Sequence, residues 1–161
     1  MKAAAIILVV LCIAAFAGVG FLYMQANMAV TATGVTAVEA SAQPEVFEGL
    51  KEQAEKGTLI GTRFSGGGDI GKADDYVFYT YTVRLGNGCF LDADIVELQV
   101  TPIDGDVLQV GSASSQSLKA HATGDFKTTI LTKKNTHNVR EITVTWYFWG
   151  IPFRTKTTAG K

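Results

Sequence analysis

An uncharged apolar run fills residues 3–24, close to the N-terminus of the chain. At about 1.5 Å per helical residue, a helix of this length spans about 33 Å, which matches a bilayer hydrocarbon core of about 30 Å. The run therefore predicts a transmembrane helix that begins at Ala3 and has Phe21 and Tyr23 near its other end. Tyr23 suits the membrane–water boundary, because its ring favours apolar surroundings while its hydroxyl favours water.

The same run has two other interpretations. A secretory signal has an apolar core of about 7–15 residues followed by small residues at a cleavage site. Ala15-Phe16-Ala17 supplies such a site, but the apolar residues continue beyond it to Tyr23. A pilin-like filament subunit also begins with an apolar helix, although that helix carries an early acidic residue, which this run lacks. We interpret the run as an uncleaved membrane anchor, with a cleaved secreted binding protein and a pilin-like subunit as alternatives.

Charge around the run predicts its orientation. Lys2 and the α-amine lie on the N-terminal side, and the next basic residue along the chain is Lys51. The positive-inside rule then predicts a cytoplasmic N-terminus and an extracytoplasmic C-terminal domain, in a single-pass protein of the cell membrane. Ala14 and Gly18 stand four residues apart, a spacing of small residues that allows two helices to approach closely. A homodimer through this face is therefore a further hypothesis.

The chain divides into three parts by composition: an anchor at 1–24, a connecting segment at 25–56 and an exported domain at 57–161. Residues 25–38 are small and uncharged, so they predict either a stalk or a first strand. Apolar residues then recur at helical spacing between Pro44 and Gly57, which favour the first turn and the C-terminal stop of a helix. This pattern predicts a short amphipathic helix at 44–56.

From residue 58 onward the apolar pattern changes to a period of two. Residues 76–85 (YVFYTYTVRL) alternate clearly, and 139–149 form a later aromatic strand. Turn signals separate the strands at regular intervals, among them Asp104-Gly105. The fold class predicted is therefore mainly β, with about seven or eight strands after the helices. Short, regularly spaced strands of this kind favour an antiparallel β-sandwich of immunoglobulin-like type.

Four stretches carry a family resemblance: YTVRLGNG, IVELQV, DFKTTILT and REITVTWYFWGIPF. They resemble bacterial membrane-anchored extracytoplasmic immunoglobulin-like domains and the β-sandwich of type-2 late-embryogenesis-abundant proteins, over residues 57–158. The shared features are a strand that ends in Asn, an alternating strand after it and late paired strands. The Asn-Pro pair often seen in the plant proteins is absent after Leu85. The resemblance implies a sandwich fold with a structural or binding role in the cell envelope, and it implies no catalytic residues.

The residues that catalysis would need are scarce. Nucleophilic catalysis requires a nucleophile beside a base, and the two histidines, His121 and His137, stand in separate polar segments. No Gly-x-Ser-x-Gly elbow is present, and no Cys or His at metal spacing accompanies either histidine. We therefore expect no enzyme activity and no cofactor. Cys12 lies in the apolar run and cannot pair with Cys89 within one chain, so Cys89 is predicted to be a buried thiol or, alternatively, an intermolecular disulfide.

Aspartates supply the weak metal candidates. Carboxylate oxygens are ligands that Ca²⁺ prefers, but none of these aspartates has the spacing of a helix-loop-helix calcium loop. We therefore expect no bound metal. The calcium candidates are Asp74, Asp75, Asp92, Asp94, Asp104 and Asp106.

The segment TWYFWG at 145–150 is the densest aromatic patch. A period of two places Trp146 and Phe148 on one face of a strand, with Tyr147 and Trp149 on the other. One face must be core, and the other is either an aromatic platform for a sugar or protein, or a surface covered by the 44–56 helix. We favour the helix cover. The partners expected are the lipid bilayer, through 3–24, and an envelope protein or polysaccharide. Nucleic acid is not expected, since the chain has no polybasic block.

Overall fold

The computed structural model describes residues 2–25, 27–65, 68–111 and 116–160. This part of the chain contains two α-helices and nine β-strands. The helices are α1 (Lys2–Gln25) and α2 (Pro44–Lys56). The strands are β1 (Met28–Glu39), β2 (Gly61–Arg63), β3 (Tyr76–Asn87), β4 (Ala93–Val100), β5 (Asp106–Val110), β6 (Gln116–Leu118), β7 (Thr123–Lys133), β8 (Arg140–Phe148) and β9 (Ile151–Ala159).

The strands form two antiparallel sheets. Sheet A has five strands in the order β1-β3-β7-β5-β2, and sheet B has four in the order β6-β4-β8-β9. Every pair of neighbouring strands is antiparallel. The prediction of a mainly β, antiparallel fold after an N-terminal apolar helix is therefore confirmed. Residues 25–38, for which the sequence left stalk and strand open, lie mostly in β1 at one edge of sheet A.

The two sheets share one hydrophobic core. Alternate side chains of a strand point to opposite faces, and the inner faces of β3 and β8 supply much of this core. The core residues from these two strands are Tyr81, Val83, Leu85, Ile142, Val144, Trp146 and Phe148. Apolar burial between the sheets is the main favourable term for a domain without a disulfide.

Helix α2 has the bounds that its sequence predicts. Pro44 occupies its first turn, where a missing N–H costs nothing, and Gly57 ends it with a left-handed φ of 68°. Phe47 is fully buried against the outer face of sheet A, where its ring lies 5.7 Å from that of Tyr76. Tyr76 and Phe78, on the outer face of β3, are therefore buried as well as the inner residues of this strand.

The prediction that α2 covers the outer face of 145–150 is wrong. That segment lies at the end of β8 and in the turn after it, in sheet B, whereas α2 packs on β3, β5 and β7 of sheet A. The physical reason is that Tyr76 and Phe78 put two large rings on the outer face of β3, and these rings need a cover.

Pairing of the strands defines the two ends of the sheets. The anchor end, named because the chain enters it from α1, holds Met28, Asn87, Ala93, Phe148 and Ile151. Asn87 pairs with Met28 at this end, and its side chain reaches the residues that precede β4.

The far end lies at the opposite side of the same strands. It holds Glu39, Tyr76, Asp106, Arg140 and Ala159.

Helix α1 includes a segment, Ala3–Phe21, of 19 residues that is long and apolar enough to cross a bilayer. All side chains of this segment are exposed, so the sheets offer it no protein cover. Ala3 and Phe21 lie at its two ends. Tyr23 belongs to α1 as well, but its side chain lies outside the described part of the structure.

Candidate functional site

The most concentrated polar chemistry in the described residues is a buried ion pair at the far end. Arg140 Nε lies 2.8 Å from Asp106 Oδ2, and Arg140 Nη2 lies 2.7 Å from Asp106 Oδ1. Neither side chain has any solvent exposure. Arg140 Nη1 donates further hydrogen bonds to the backbone oxygens of His137, at 2.6 Å, and Val139, at 2.8 Å. Both charges are thus compensated inside the protein, as burial requires.

A tight turn before β5 positions Asp106. Gly105 has a φ of 98°, and the backbone N–H of Asp106 donates to the oxygen of Ile103 at 3.0 Å. Asp106 Oδ2 in turn accepts from the N–H of Ile103 at 2.9 Å. The sequence predicted a turn here, but the flanking strands β4 and β5 lie in different sheets, so the turn carries the chain across the core.

Tyr81 lies beside this ion pair. Its hydroxyl donates to the backbone oxygen of Asn138 at 2.9 Å. Burial raises the pKa of Tyr81 to about 12; the Arg140 guanidinium opposes this rise and the Asp106 carboxylate adds to it. The phenol therefore stays protonated at neutral pH and serves as a hydrogen-bond donor to the loop between β7 and β8.

Two buried amides, which the sequence analysis did not single out, join the sheets elsewhere. Gln109 of sheet A accepts from the N–H of Val100 at 3.0 Å and donates to the oxygen of Leu98 at 2.7 Å, both in β4 of sheet B. Asn87 of sheet A lies at the anchor end, where its Nδ2 is 2.8 Å from the oxygen of Leu91. Together with the ion pair, these side chains connect the sheets at three levels. A polar residue in an alternating strand gives no sequence signal for this role.

Beside Gln109, a groove of about 480 Å³ opens between the free edges of the two sheets. It lies between β2 on one side and β4 and β6 on the other. Ile95 and Phe126 supply apolar lining, and Glu97, Gln99 and Lys127 are exposed polar residues that also line it. No cluster of three or more His, Cys, Asp or Glu side chains that could hold a metal occurs in the part of the chain that the structure describes.

The remaining calcium candidates do not converge on one point. Asp92 pairs with Lys119 at 2.7 Å, and this hydrogen bond, followed by one from the N–H of Ala120, lowers the pKa of Asp92. Asp94 Oδ2 lies 3.3 Å from the N–H of Trp149.

At the far end, both oxygens of Asp106 contact Arg140, so Asp106 faces a cation of the protein itself. Asp74 and Asp75 are exposed near Lys133 and Lys134, and Asp104 is exposed in the turn before β5. The six candidates therefore do not converge on one site, although Asp74 and Asp75 are neighbours.

The four aromatic residues of the predicted platform occupy three different environments. Trp146 and Phe148 are buried in the core between the sheets, each 4% exposed, and Phe153 of β9 packs on both rings. Tyr147 is half-buried on the other face of β8. Trp149 is 68% exposed, because the chain turns there and β9 begins two residues later. The segment does not present a continuous aromatic face.

The histidines and the cysteine are also separated. The N–H of His121 donates to the oxygen of Cys89 at the anchor end, whereas His137 lies at the far end, next to Arg140. Cys89 is fully buried, as the sequence predicted for a thiol in the core.

Comparison with protein-family models, curated proteins and solved structures gives no match for this chain.

Proposed function

We propose that this chain is a single-pass protein of the cell envelope, anchored in the membrane by α1 and carrying an extracytoplasmic domain that acts as a structural or interaction module. One observation carries the proposal: a helix with a 19-residue apolar stretch has no protein cover, and it continues within three residues into a folded β domain. An uncovered apolar helix of that length is expensive in water and favourable in a bilayer.

We also propose that the domain is an immunoglobulin-like sandwich. Two antiparallel sheets of five and four strands share one core, as in that architecture. Such sandwiches serve many functions, so the role must come from their surfaces. The three polar connections between the sheets favour a rigid support.

We further propose that the domain has no catalytic activity and needs no cofactor. The two histidines lie at opposite ends of the sheets. Some carboxylates of the predicted pairs contact or lie near arginine and lysine side chains, and the others are separated from each other. A polar or aromatic surface on a rigid domain would suit an envelope protein or a polysaccharide as partner. The groove between the sheet edges is a concave surface that could receive such a partner.

Cysteine labelling in intact cells tests the topology. The chain has two cysteines, so Cys12→Ser removes the one in α1 and leaves buried Cys89. In this background, Glu55→Cys places a thiol on the exposed face of α2. A cysteine inserted between Met1 and Lys2 places one before α1 and keeps the lysine from which the orientation is predicted. A membrane-impermeant maleimide should label Glu55→Cys in intact cells and the inserted N-terminal cysteine after lysis alone. The opposite pattern would refute the orientation.

Intact-mass analysis of the same protein separates the alternatives. An anchor retains an N-terminus at Met1 or Lys2, whereas a cleaved secreted protein begins near residue 18. A pilin-like subunit would be recovered as filaments after shearing of cells.

A further inference from the structure

The exposed aromatic side chains of the domain lie at one of its ends. Outside α1, the described residues include six large hydrophobic side chains that are exposed: Val38, Val46, Ile60, Phe90, Trp149 and Ile151. Both aromatic residues among them lie at the anchor end, and so does Ile151, where β9 begins. Scattered aliphatic residues on a surface are ordinary, whereas two exposed rings at one end of a domain require a reason.

The conformation of Trp149 strengthens this observation. Phe148 pairs with Ile151, so Trp149 and Gly150 form a two-residue hairpin turn, with φ values of 52° and 78°. Positive φ at both positions corresponds to a type I′ turn, which strongly favours Asn, Asp or Gly. A bulky residue in this conformation is strained, and Trp149, at 68% exposed, gains little packing within the domain in return. Strain of this kind is often retained at functional sites.

The hairpin tip lies at the end where the chain enters the domain. The N–H of Trp149 lies 3.3 Å from Asp94 Oδ2, beside the first residue of β4, Ala93. Just before β4, the oxygen of Leu91 accepts from Nδ2 of Asn87 at 2.8 Å, and Asn87 pairs with Met28. The tip and the start of β1 therefore lie at the same end of the two sheets.

The chain also keeps this tip close to the membrane-spanning helix. Gln25 ends α1 and Met28 begins β1, so three Cα steps join them, a reach of at most about 11 Å. The polar interfacial layer of a bilayer is about 5–8 Å thick on each side of the hydrocarbon core. The short connection therefore holds the anchor end of the domain, to which the hairpin tip belongs, close to the interfacial layer.

The interfacial layer must also accommodate the charged side chains at this end. Lys119 and Asp92 neutralise each other at 2.7 Å, and Asp94 is close to the N–H of Trp149 at 3.3 Å. Tryptophan and phenylalanine at an interface gain from burying their rings while the backbone remains hydrated.

We propose that Trp149, with Phe90 and Ile151, inserts into the interfacial layer of the same bilayer that holds α1, and so fixes the domain against the membrane surface. The proposal rests on the membrane anchoring proposed above. The ligand is the lipid of the anchor's own membrane, and the contact needs no specific headgroup, because it is apolar and aromatic.

Tryptophan fluorescence of the full chain in phosphatidylcholine vesicles tests the proposal. The chain has two tryptophans, so Trp149→Asn leaves the buried Trp146 as the reference emission. The emission of Trp149 is the difference between the emission of wild type and that of Trp149→Asn. Phosphatidylcholine brominated on its acyl chains should quench this Trp149 emission. Because Asn-Gly is the preferred type I′ sequence, Trp149→Asn should also keep or raise the thermal midpoint. A lower midpoint would assign Trp149 to folding and would count against the proposal.

A matched control places the probe elsewhere. Val46→Trp, in the Trp149→Asn background, puts an exposed ring on α2, which begins beyond the far end of β1. The emission of this introduced tryptophan should be insensitive to brominated lipid. If brominated lipid quenches it as strongly as it quenches Trp149 in wild type, the specific contact is overturned.

Flotation of the vesicles distinguishes the two proposals. If the chain floats with the vesicles but Trp149 is not quenched, this inference is wrong and the anchor stands. If Trp149 is shielded only at a high protein-to-lipid ratio, a second copy covers the tip and the inference is likewise wrong. If the chain does not float, the membrane anchor itself fails and the contact fails with it.

Discussion

Arg140 and Asp106 form a doubly hydrogen-bonded ion pair in which neither side chain has any solvent-exposed surface. The pair joins β8 of sheet B to the start of β5 in sheet A, and so connects strands of different sheets at the far end. The attraction within such a pair offsets the loss of hydration only when the remaining hydrogen bonds are made. Here the oxygens of His137 and Val139 and the N–H of Ile103 make them.

Removal of one partner should therefore destabilise the domain strongly. Asp106→Ala leaves the Arg140 guanidinium buried without a counter-ion, and we expect a loss of about 3–5 kcal/mol in the free energy of unfolding. Urea unfolding of the full chain in detergent micelles measures this loss in the free energy of unfolding. Asp125→Ala is the matched control, because Asp125 pairs with Arg84 on the exposed face, and its effect should be small. Equal losses in both variants would show that burial of the Arg140 pair is unimportant.

A double variant separates the charge from the packing. Asp106→Leu with Arg140→Met replaces the pair by apolar side chains and should recover a large part of the loss.

Tyr81 should make the domain sensitive to alkaline pH. Its pKa in the folded protein is raised to about 12, above the ordinary value of 10.0. Between these values the unfolded chain has lost the phenol proton while the folded chain retains it, so stability falls as pH rises. The contribution is fully present below pH 10 and is lost on passing through pH 12.

Thermal melts at several pH values test this dependence. Tyr81→Phe cannot titrate, so its midpoint should fall less steeply than that of wild type between pH 10 and pH 12. Tyr147→Phe, at a half-buried position on sheet B, is the control and should follow wild type. Parallel curves for wild type and Tyr81→Phe would contradict the raised pKa.

Asn87 should be a second point of weakness, at the anchor end. Its Oδ1 accepts from the N–H of Cys89 at 2.9 Å, and its Nδ2 reaches the oxygens of Leu91, Leu118 and Lys119 at 2.8–3.2 Å. Asn87→Ala leaves buried backbone groups without partners, at about 1–3 kcal/mol each. We expect a lower midpoint in chemical unfolding. Gln99→Ala, at an exposed position of β4, should have almost no effect, and similar losses in both variants would refute the role of Asn87.

Local features of this fold follow from the sequence, because short-range chemistry determines them. Pro44 and Gly57 bound α2 as predicted, and the alternation in 76–85 matches the inner and outer faces of β3. Residues 25–38 lack alternation because β1 is an edge strand whose side chains are mostly exposed. A period of two therefore could not identify it.

Long-range features could not be predicted in the same way. Asp106 and Arg140 stand 34 residues apart, and nothing in either segment indicates that they meet. The aromatic segment shows a different reason. The period of two assigned Trp149 to a face of β8, but the strand ends at Phe148, so Trp149 lies at a hairpin tip instead. Turn geometry decides where a strand ends, and a Trp-Gly pair is not a recognised sequence signal for a hairpin turn.

The stability of the sandwich should depend heavily on Trp146. This side chain is 4% exposed, and its ring stacks on that of Phe153 with centroids 6.1 Å apart. Trp146→Ala should cost about 3–5 kcal/mol, because the cavity adds to the lost apolar burial. Thermal melting of the full chain in detergent measures the change. His137→Ala is the control, because that side chain is exposed, and it should melt like wild type.

A second substitution at the same position tests the reason for this loss. The indole Nε1 of Trp146 is buried without a hydrogen-bond partner, which is a cost that the folded state carries. Trp146→Phe removes this donor while keeping an aromatic ring in the core, so it should lose much less than Trp146→Ala. If both variants lose equally, the indole N–H has a partner such as an ordered water. If neither moves the midpoint, β8 contributes little to the core, and a ligand platform at 145–150 becomes the better interpretation of its aromatic residues.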